Sequence, residues 1–187
     1  PGNARKQYAS LVEKQPQLTN SSEKSPYNSL QHATADAKPR LGIIACGIAY
    51  NYVMENIGQC EHLPVLKISQ YPIPAATIKE FANNCDEILV AEDGQPFVEE
   101  QVKALLGSDY KVRGRLSGEL PRMGELTPDC VGEALGYTTE QPFAAAQNVM
   151  PRPPALCQGC GHRDVYDALN KVAAEYPDAR IFGDIGC

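Results

Sequence analysis

Apolar residues are concentrated in four short runs between residues 40 and 116, and polar, helix-like segments separate them. The runs are "LGIIACG", "PVLKIS", "EILVAEDG" and "KVRGRL". Runs of this length that contain β-branched residues and end at glycine or polar residues predict strands. Because these strands alternate with helices of about ten residues, the pattern predicts a three-layer α/β domain with a mainly parallel sheet.

The segments between the runs carry signals for helices. In "AATIKEFANNC", Ile78 and Phe81 lie on one helical face, and in "TPDCVGEALG" Thr127 is expected to cap the helix. After "EILVAEDG", Asp93 is expected to cap a helix over residues 96–106. The fourth run has charged side chains at alternate positions, which is typical of an edge strand. Its direction stays open.

The segment before the first strand, residues 1–39, is mostly polar. The spacing of Tyr8, Leu11 and Val12 predicts a helix, and Pro16 is expected to end it. The following stretch is rich in serine, threonine, asparagine and proline, which predicts an extended linker.

Residues 138–187 differ from the segment before them in the pattern of apolar residues and prolines. Residues 138–150 are predicted to be a second linker, and three prolines within residues 151–154 predict an extended arm. A helix over residues 163–175 and a strand over "ARIFGDIG" are expected to follow. The predicted divisions of the chain are therefore residues 1–39, 40–137, 138–150 and 151–187.

Charge and cysteine usage exclude some classes of function. A net charge of −6 argues against nucleic-acid binding, because phosphate contacts need a basic face. No apolar run approaches the ~18 residues of a membrane-spanning helix. The seven cysteines are odd in number and scattered, which favours reduced thiols in the cytoplasm. Because the chain starts without methionine and stops after a predicted strand, we expect a fragment of a longer subunit.

The stretch "CQGCGH" gathers two cysteines and one histidine within six residues. Cys157 and Cys160 have the spacing of half a zinc site, which His162 or Cys187 could complete, but no second half-site exists. The same pair at a helix start also fits a thiol–disulfide couple, although a proline arm replaces the strand expected upstream. In a third interpretation both cysteines are small buried packing residues.

A fourth interpretation rests on the glycines. Gly159 and Gly161 flank Cys160 directly before a helix, where backbone N–H groups favour an anion, and His162 can add a hydrogen bond. Further along, "GDIGC" predicts another glycine turn at the carboxyl end of a strand, which is the usual ligand edge of a parallel sheet. Two such turns facing one crevice would suit a diphosphate-bearing cofactor.

Several motifs in order resemble one known family. "PALCQGCGHRDVYDALNKV" and "IFGDIGC", together with "RLGIIACGIAYNYVMENIG", "FANNCDEILVAEDGQPFVEEQV" and "GELPRMGELTPD", resemble the large (alpha) subunits of 2-oxoacid:ferredoxin oxidoreductases. The resemblance covers nearly the whole chain and is weakest near its start. It implies that residues 40–137 are similar to the transketolase C-terminal domain, with one antiparallel edge strand. It also implies that residues 151–187 open a thiamine-diphosphate-binding domain.

The resemblance also implies which residues line the cofactor. These residues are Cys157, Gly159, Cys160, His162, Asp184, Ile185, Gly186 and Cys187. The ligands of the accompanying Mg²⁺ and the 4Fe-4S clusters are implied to lie outside this chain. Where the family commonly has proline after the first cysteine, this chain has Gln158, which is expected to loosen the turn slightly.

The implied activity is the oxidative decarboxylation of an arylpyruvate such as indolepyruvate. The thiazolium carbanion of the cofactor attacks the keto carbon, carbon dioxide leaves, and electrons pass singly through the clusters to ferredoxin while coenzyme A takes the acyl group. The implied partners are a beta subunit, ferredoxin, coenzyme A and the substrate. Association into a homodimer stays open. The fragment alone is expected to be inactive.

An alternative of another class is a non-catalytic α/β interaction module whose C-terminal arm holds zinc or a thiol knuckle. Both hypotheses share one fold, so the fold cannot separate them.

Overall fold

The computed structural model describes residues 2–31, 40–56, 58, 63–138, 146, 148, 150 and 155–183. The chain divides into two compact units, Pro1–Gln141 and Pro142–Cys187, called here the first unit and the second unit. In this described part of the chain, no helix is both long and apolar enough to span a bilayer.

The first unit is built around a five-stranded sheet. Its strands are β1 (Ser29–Gln31), β2 (Leu41–Cys46), β3 (Val65–Ile68), β4 (Glu87–Ala91) and β5 (Lys111–Arg113). Among its described residues the helices are α1 (Gly2–Glu23), α2 (Ile48–Glu55), α3 (Ala75–Asn83), α4 (Phe97–Leu106) and α5 (Pro128–Ala134). The second unit contains α6 (Gly161–Ala173).

The strands lie in the order β1-β3-β2-β4-β5. β2 pairs in parallel with β3 and β4, and β4 pairs in parallel with β5, whereas β1 runs antiparallel to β3. The predicted α/β class with a mainly parallel sheet is therefore confirmed. After β2 the chain forms β3 on one side of β2 and then β4 on its other side. The carboxyl ends of β2 and β4 consequently form the topological switch point, where open α/β sheets usually bind ligands.

Alternating strand residues point to opposite faces of the sheet and form two cores. One core joins the sheet to α3 and α4, and its strand residues include Ile44, Leu66, Ile88 and Val90. The other joins the opposite face to α2 and α5, and its strand residues include Ile43, Val65, Leu89 and Ala91. Helices therefore cover both faces of the sheet, as the three-layer prediction expected.

The N-terminal segment differs from its prediction. Helix α1 continues through Pro16 to Glu23, and β1 occupies part of the predicted linker. Proline in a helix interior costs one hydrogen bond, but the last turn of α1 is held from outside. Ser22 is fully buried there, and its hydroxyl shares its one hydrogen between the carbonyls of Gln70 and Pro72.

The end of α1 also caps another helix. The Glu23 carboxylate accepts hydrogen bonds from the backbone N–H groups of Ala76 and Thr77, at 2.7 and 3.2 Å, in the first turn of α3. Asn28 accepts two more from the backbone of the loop after β3. These polar contacts hold residues 22–28 against the loop after β3 and the start of α3. The pattern of apolar residues in the sequence does not predict them.

The two edge strands of the sheet differ in direction. The antiparallel edge strand is β1, which precedes residue 40 and so lies outside the range 40–137. The fourth predicted strand is the opposite edge, β5, and it is parallel to its neighbour. Its alternating charges have a partner across the ladder, because Lys111 and Arg113 both form ion pairs with Glu87 of β4.

In the second unit the predicted helix is present, two residues earlier than expected. The predicted strand "ARIFGDIG" is wrong for residues 179–183, which form no strand. A strand needs a neighbour for its backbone hydrogen bonds, and the described residues of the second unit contain no other strand. Residues 184–187, the proline arm 151–154 and most of the linker 138–150 lie outside the described residues.

Candidate functional site

Residues 157–160 form a turn that leads into α6. The Cys160 N–H donates to the Cys157 carbonyl at 3.2 Å, and Gly159 has a φ of 79°. A turn closed in this way, with its third residue in the left-handed region, has the features of a type II turn, in which glycine avoids strain. Gln158 occupies the second position, where proline is common.

The first turn of α6 follows without a capping side chain. Cys160 is the N-cap residue, with φ −72° and ψ 126°, and no side chain accepts a hydrogen bond at this cap. The leading N–H groups of a helix have no partner within the helix and carry a partial positive charge. A Cβ added at Gly159 or Gly161 would meet nothing within 4 Å, so the space beside the turn is open.

Thiol and imidazole groups border this open turn. Cys160 Sγ lies 3.5 Å from His162 Nδ1, which is hydrogen-bond contact for sulfur. Cys157 and His162 are exposed and Cys160 is partly exposed. The interpretation of the two cysteines as buried packing residues is therefore not supported. Within the described ranges, no three histidine, cysteine, aspartate or glutamate side chains are grouped as metal ligands.

After α6 the chain returns to the helix. Gly183 packs against Tyr166 so closely that a Cβ at position 183 would overlap the tyrosine hydroxyl. Tyr166 lies in the N-terminal half of α6, so the start of "GDIGC" lies beside that half. The predicted site residues Asp184, Ile185, Gly186 and Cys187 lie outside the described residues. The structure thus gathers Cys157, Gly159, Cys160 and His162, which lie within six residues of one another in the sequence.

A second cluster lies at the switch point of the sheet in the first unit. Cys46 ends β2, and its thiol donates to the Ala91 carbonyl at 3.8 Å. Burial, and then the charge of Glu92, raise the pKa of the Cys46 thiol to about 11, which a hydrogen bond with Tyr71 partly opposes. Burial, followed by the neighbouring thiol, also raises the pKa of Tyr71. Cys46 therefore stays protonated at neutral pH.

Glu92, rather than Asp93, caps α4, so the predicted cap is wrong. The buried Glu92 carboxylate accepts hydrogen bonds from the N–H groups of Val98 and Glu99, both at 2.8 Å. Burial raises the pKa of Glu92 above its usual range although these bonds act against the shift. Its side chain is longer by one methylene than that of aspartate, which lets it reach the helix end from inside the core.

Asp93 instead binds Arg115, a residue that the sequence did not single out. Arg115 is 1% exposed and donates to Asp93 Oδ1 at 2.9 Å, to the Glu92 carbonyl at 2.9 Å and to the Pro121 carbonyl at 2.7 Å. The Leu126 N–H donates to the same Asp93 oxygen at 3.1 Å. This network fastens the loop after β5 to the end of β4.

The polar groups at the switch point are thus committed to partners within the protein: Glu92 caps α4 and Asp93 binds Arg115. The turn at 157–160 combines open space, uncapped N–H groups and accessible side chains. It is therefore the stronger candidate for binding a ligand.

Comparison with known proteins supports one class. No protein-family model matches the chain. The whole chain is 37% identical to indolepyruvate oxidoreductase subunit IorA of Methanothermobacter thermautotrophicus, covering 32% of that protein. It is 32% identical to subunit IorA of Archaeoglobus fulgidus, covering 31% of it. The chain therefore spans about a third of the length of the curated relatives it matches.

Among solved structures, a 2-oxoglutarate:ferredoxin oxidoreductase from Magnetococcus marinus, with 2-oxoglutarate, coenzyme A and succinyl-CoA bound, matches with a TM-score of 0.48. The identity is 18%, and the match covers 73% of this chain and 23% of that chain.

The sequence matches confirm the resemblance that the motifs indicated, to subunits of oxidoreductases that act on 2-oxoacids. More narrowly, over its whole length the chain is similar to one segment of indolepyruvate oxidoreductase subunit IorA.

Proposed function

We propose that the chain is part of a thiamine-diphosphate-dependent 2-oxoacid oxidoreductase subunit and supplies one wall of its cofactor site. The observation that carries the proposal is the open glycine turn at 157–160 before the uncapped end of α6. The similarity to subunit IorA over the whole chain supports it. The parent enzyme would oxidatively decarboxylate indolepyruvate or related arylpyruvates to acyl-coenzyme A.

The domain organisation is part of this proposal. Residues 40–137 would form the domain similar to the C-terminal domain of transketolase, residues 138–150 a linker, and residues 151–187 the opening of the cofactor domain. Because β1 completes the sheet, we extend the first of these domains to include α1 and β1.

The residues of the turn fit a diphosphate-bearing cofactor. The leading N–H groups of α6 favour an anion, and Gly159 and Gly161 leave room for its close approach. Thiols, imidazole and glycine are not the oxygen ligands that Mg²⁺ prefers, so other residues of the parent protein would hold that ion. The four predicted residues of this turn therefore suit contacts with the organic cofactor and its phosphates, and they do not suit metal ligation.

In this proposal the residues of the turn have separate roles. Thiamine diphosphate, when bound, supplies the electron sink for decarboxylation. Gly159 lets the chain reverse direction, so that α6 starts directly beside the open space at Gly159 and Gly161. The hydrogen bond between Cys160 Sγ and His162 Nδ1 fixes the direction of both side chains beside the turn. The 4Fe-4S clusters, the beta subunit, ferredoxin and coenzyme A belong to the proposal for the parent enzyme.

The test uses the full-length subunit with its partner subunit, because the chain spans only part of its relatives. We expect Cys160→Ala and His162→Ala to raise the concentration of thiamine diphosphate that half-saturates indolepyruvate oxidation by about tenfold, the loss of about one hydrogen bond. Cys130→Ala is the matched control, since Cys130 is a partly exposed cysteine in the first unit. Unchanged cofactor saturation in both turn variants would overturn the proposed role of the turn.

A second experiment addresses the fragment. We propose that these 187 residues alone do not oxidise indolepyruvate, because the resemblance implies that the ligands of the magnesium that accompanies the diphosphate lie outside this chain. The chain is mixed with indolepyruvate, thiamine diphosphate, Mg²⁺ and coenzyme A, and reduction of methyl viologen is followed. Sustained reduction above that of a heat-denatured sample would contradict this expectation.

A further inference from the structure

The turn at 157–160 places two cysteines at its first and fourth positions. The first and fourth Cα atoms of such a turn lie within about 7 Å of each other. A disulfide needs a Cα separation of about 4.4–6.8 Å. The hydrogen bond from the Cys160 N–H to the Cys157 carbonyl therefore holds the pair at a spacing that a disulfide can bridge with little movement of the backbone.

These thiols also differ in access from the cysteines of the core. Cys46 and Cys85 are buried, whereas Cys157 is exposed and Cys160 is partly exposed, as is Cys130. In thiol–disulfide exchange the attacking sulfur must approach the disulfide in line with its S–S bond, so the attacking thiol has to be accessible. Access alone therefore favours the pair at the turn over the thiols of the core.

Cys160 has in addition a base at hand. The distance of 3.5 Å between its sulfur and His162 Nδ1 lets the imidazole accept the thiol proton, as in other cysteine–histidine pairs. The thiolate would then lie at the positive end of a 13-residue helix. Cys157 has no such neighbour in sequence but lies across the same turn from Cys160, which suits the second, resolving thiol.

We propose that Cys157 and Cys160 form a redox-active dithiol, which low-molecular-weight disulfides convert into an internal disulfide. Cys160 is the attacking thiol and His162 is its base. This inference uses only the turn and its side chains, so it holds whether or not the turn contacts a cofactor.

The exchange balances in two steps. Cys160 passes its proton to His162, and its sulfur attacks a disulfide RSSR, forming a mixed disulfide and releasing RS⁻, which takes up the proton as RSH. The Cys157 sulfur then attacks the Cys160 sulfur of the mixed disulfide, and the second RSH leaves with the Cys157 proton. The two protein thiols lose two electrons in total, and RSSR gains them as two RSH.

The test uses the 187-residue chain with oxidised glutathione as the probe. The reduced chain is incubated at neutral pH with mixtures of oxidised and reduced glutathione, quenched with acid, alkylated and analysed by peptide mass spectrometry. We expect the peptide that contains both cysteines to escape alkylation and to be two hydrogens lighter than its unalkylated dithiol form, while Cys46 and Cys85 stay reduced and become alkylated. Absence of this internal disulfide at every glutathione ratio would overturn the proposal.

Variants assign the two roles. Cys157→Ser should accumulate glutathione on Cys160, because the resolving thiol is missing, and Cys160→Ser should react at Cys157 at least about tenfold more slowly. His162→Asn should slow the first step by about tenfold or more without preventing the final disulfide. Cys130→Ser is the control and should change none of these rates. Equal rates for Cys157→Ser and Cys160→Ser would overturn the assignment of Cys160 as the attacking thiol.

A metal at the turn would give a different result. The oxidation is therefore repeated after dialysis against a chelator, and the zinc content of the untreated chain is measured. Stoichiometric zinc, with a disulfide that forms only after chelation, would overturn the proposal in favour of a metal knuckle. The same rate with and without chelation supports the dithiol.

Discussion

In the described part of the chain, two cysteine–glycine turns lead into helices, one in each unit. Cys46 and Gly47 join β2 to α2, and Gly159 and Cys160 precede α6. Both glycines have positive φ values, 56° and 79°. Yet Cys46 is only 7% exposed and its pKa is raised to about 11, whereas the thiol of Cys160 borders open space and contacts an imidazole.

The surroundings of the two turns explain the difference. Around Cys46 the ends of neighbouring strands converge, so that the Ala91 carbonyl, Glu92 and Tyr71 all lie near its sulfur. Within the described residues of the second unit no sheet surrounds Cys160. A cysteine and a glycine before a helix therefore do not by themselves define the chemistry of the thiol. The residues that cover the turn decide whether the thiol is inert or reactive.

The largest expected effect comes from breaking the network that covers the switch point. Arg115→Ala removes a buried guanidinium and leaves the carbonyls of Glu92 and Pro121 without their donor. We expect the free energy of unfolding of the first unit to fall by about 2–4 kcal/mol, measured by denaturant titration, because two carbonyl acceptors lose their buried donor. Arg122→Ala, at an exposed arginine bonded to Gln95, should cost about 0.5 kcal/mol or less. A similar decrease in the free energy of unfolding for both variants would show that the buried hydrogen bonds of Arg115 do not stabilise the junction between the loop after β5 and the end of β4.

The next effect is the contrast in thiol reactivity itself. With a pKa of about 11, only about one Cys46 in a thousand is ionised at pH 8, and the residue is also buried. We expect iodoacetamide to modify Cys157 at least about a hundredfold faster than Cys46 in the folded chain. Peptide mass spectrometry over a time course gives both rates. The difference should vanish in denaturant, and its persistence there would trace it to local sequence instead of the fold.

The two glycines allow a matched test of backbone strain. A Cβ at Gly47 or Gly159 meets no atom within 4 Å, so substitution by alanine probes conformation alone. Gly47 has φ 56° and ψ −139°, and we expect Gly47→Ala to lower the free energy of unfolding of the first unit by about 1–3 kcal/mol. Gly159→Ala should leave that value unchanged, because it lies in the second unit. Hydrogen exchange of β2 and β4 amides measures both, and equal effects would mean that the units do not unfold separately.

The pH dependence of the free energy of unfolding tests the raised pKa of Glu92, the carboxyl group near Cys46. A carboxyl group whose folded pKa is raised stabilises the fold at low pH, and this contribution is lost as the pH rises from the unfolded value of 4.5 through the higher folded pKa. We therefore expect the stability difference between wild type and Glu92→Gln to decrease from about pH 4 to about pH 7. Glu100→Gln, at an exposed position of α4, is the control. A difference that grows with pH would contradict the raised pKa of Glu92.

The smallest expected effect lies at the turn of the second unit. Proline at the second position of such a turn restricts the unfolded chain, so Gln158→Pro should stabilise the turn by about 0.4–1 kcal/mol. The exchange of the Cys160 N–H, which is bonded to the Cys157 carbonyl, should slow by about two- to fivefold. Gln158→Ala should produce no such slowing. Faster exchange in the proline variant would show that the turn does not have the predicted backbone conformation.

The strands and the helices between them were predictable because each carries its own apolar signal. The end of α1 and strand β1 were not, because contacts to residues about 40 to 50 positions away hold them. Examples are Glu23 at the start of α3 and Asn28 at the loop after β3. No local pattern encodes such pairs.

The same reasoning separates the two clusters of polar residues. The sequence predicted Cys157, Gly159, Cys160 and His162 together because they lie within six residues of one another. Arg115 reaches the Glu92 carbonyl over 23 positions, so its role became visible only in the fold. The last predicted strand failed over residues 179–183 for a related reason, since an apolar run becomes a strand only beside another one.

The attachment of α1 has a mechanical consequence. Its 22 residues extend over roughly 33 Å at 1.5 Å per residue, and only its last turn contains a buried side chain, Ser22. The helix is therefore anchored at its carboxyl end, beside the loop after β3. A rotation of about 10° at Ser22 would move Gly2, about 30 Å away, by about 5 Å. Small rearrangements of that loop, next to the carboxyl edge of the sheet, would thus displace the first residues of this sequence by several times as much.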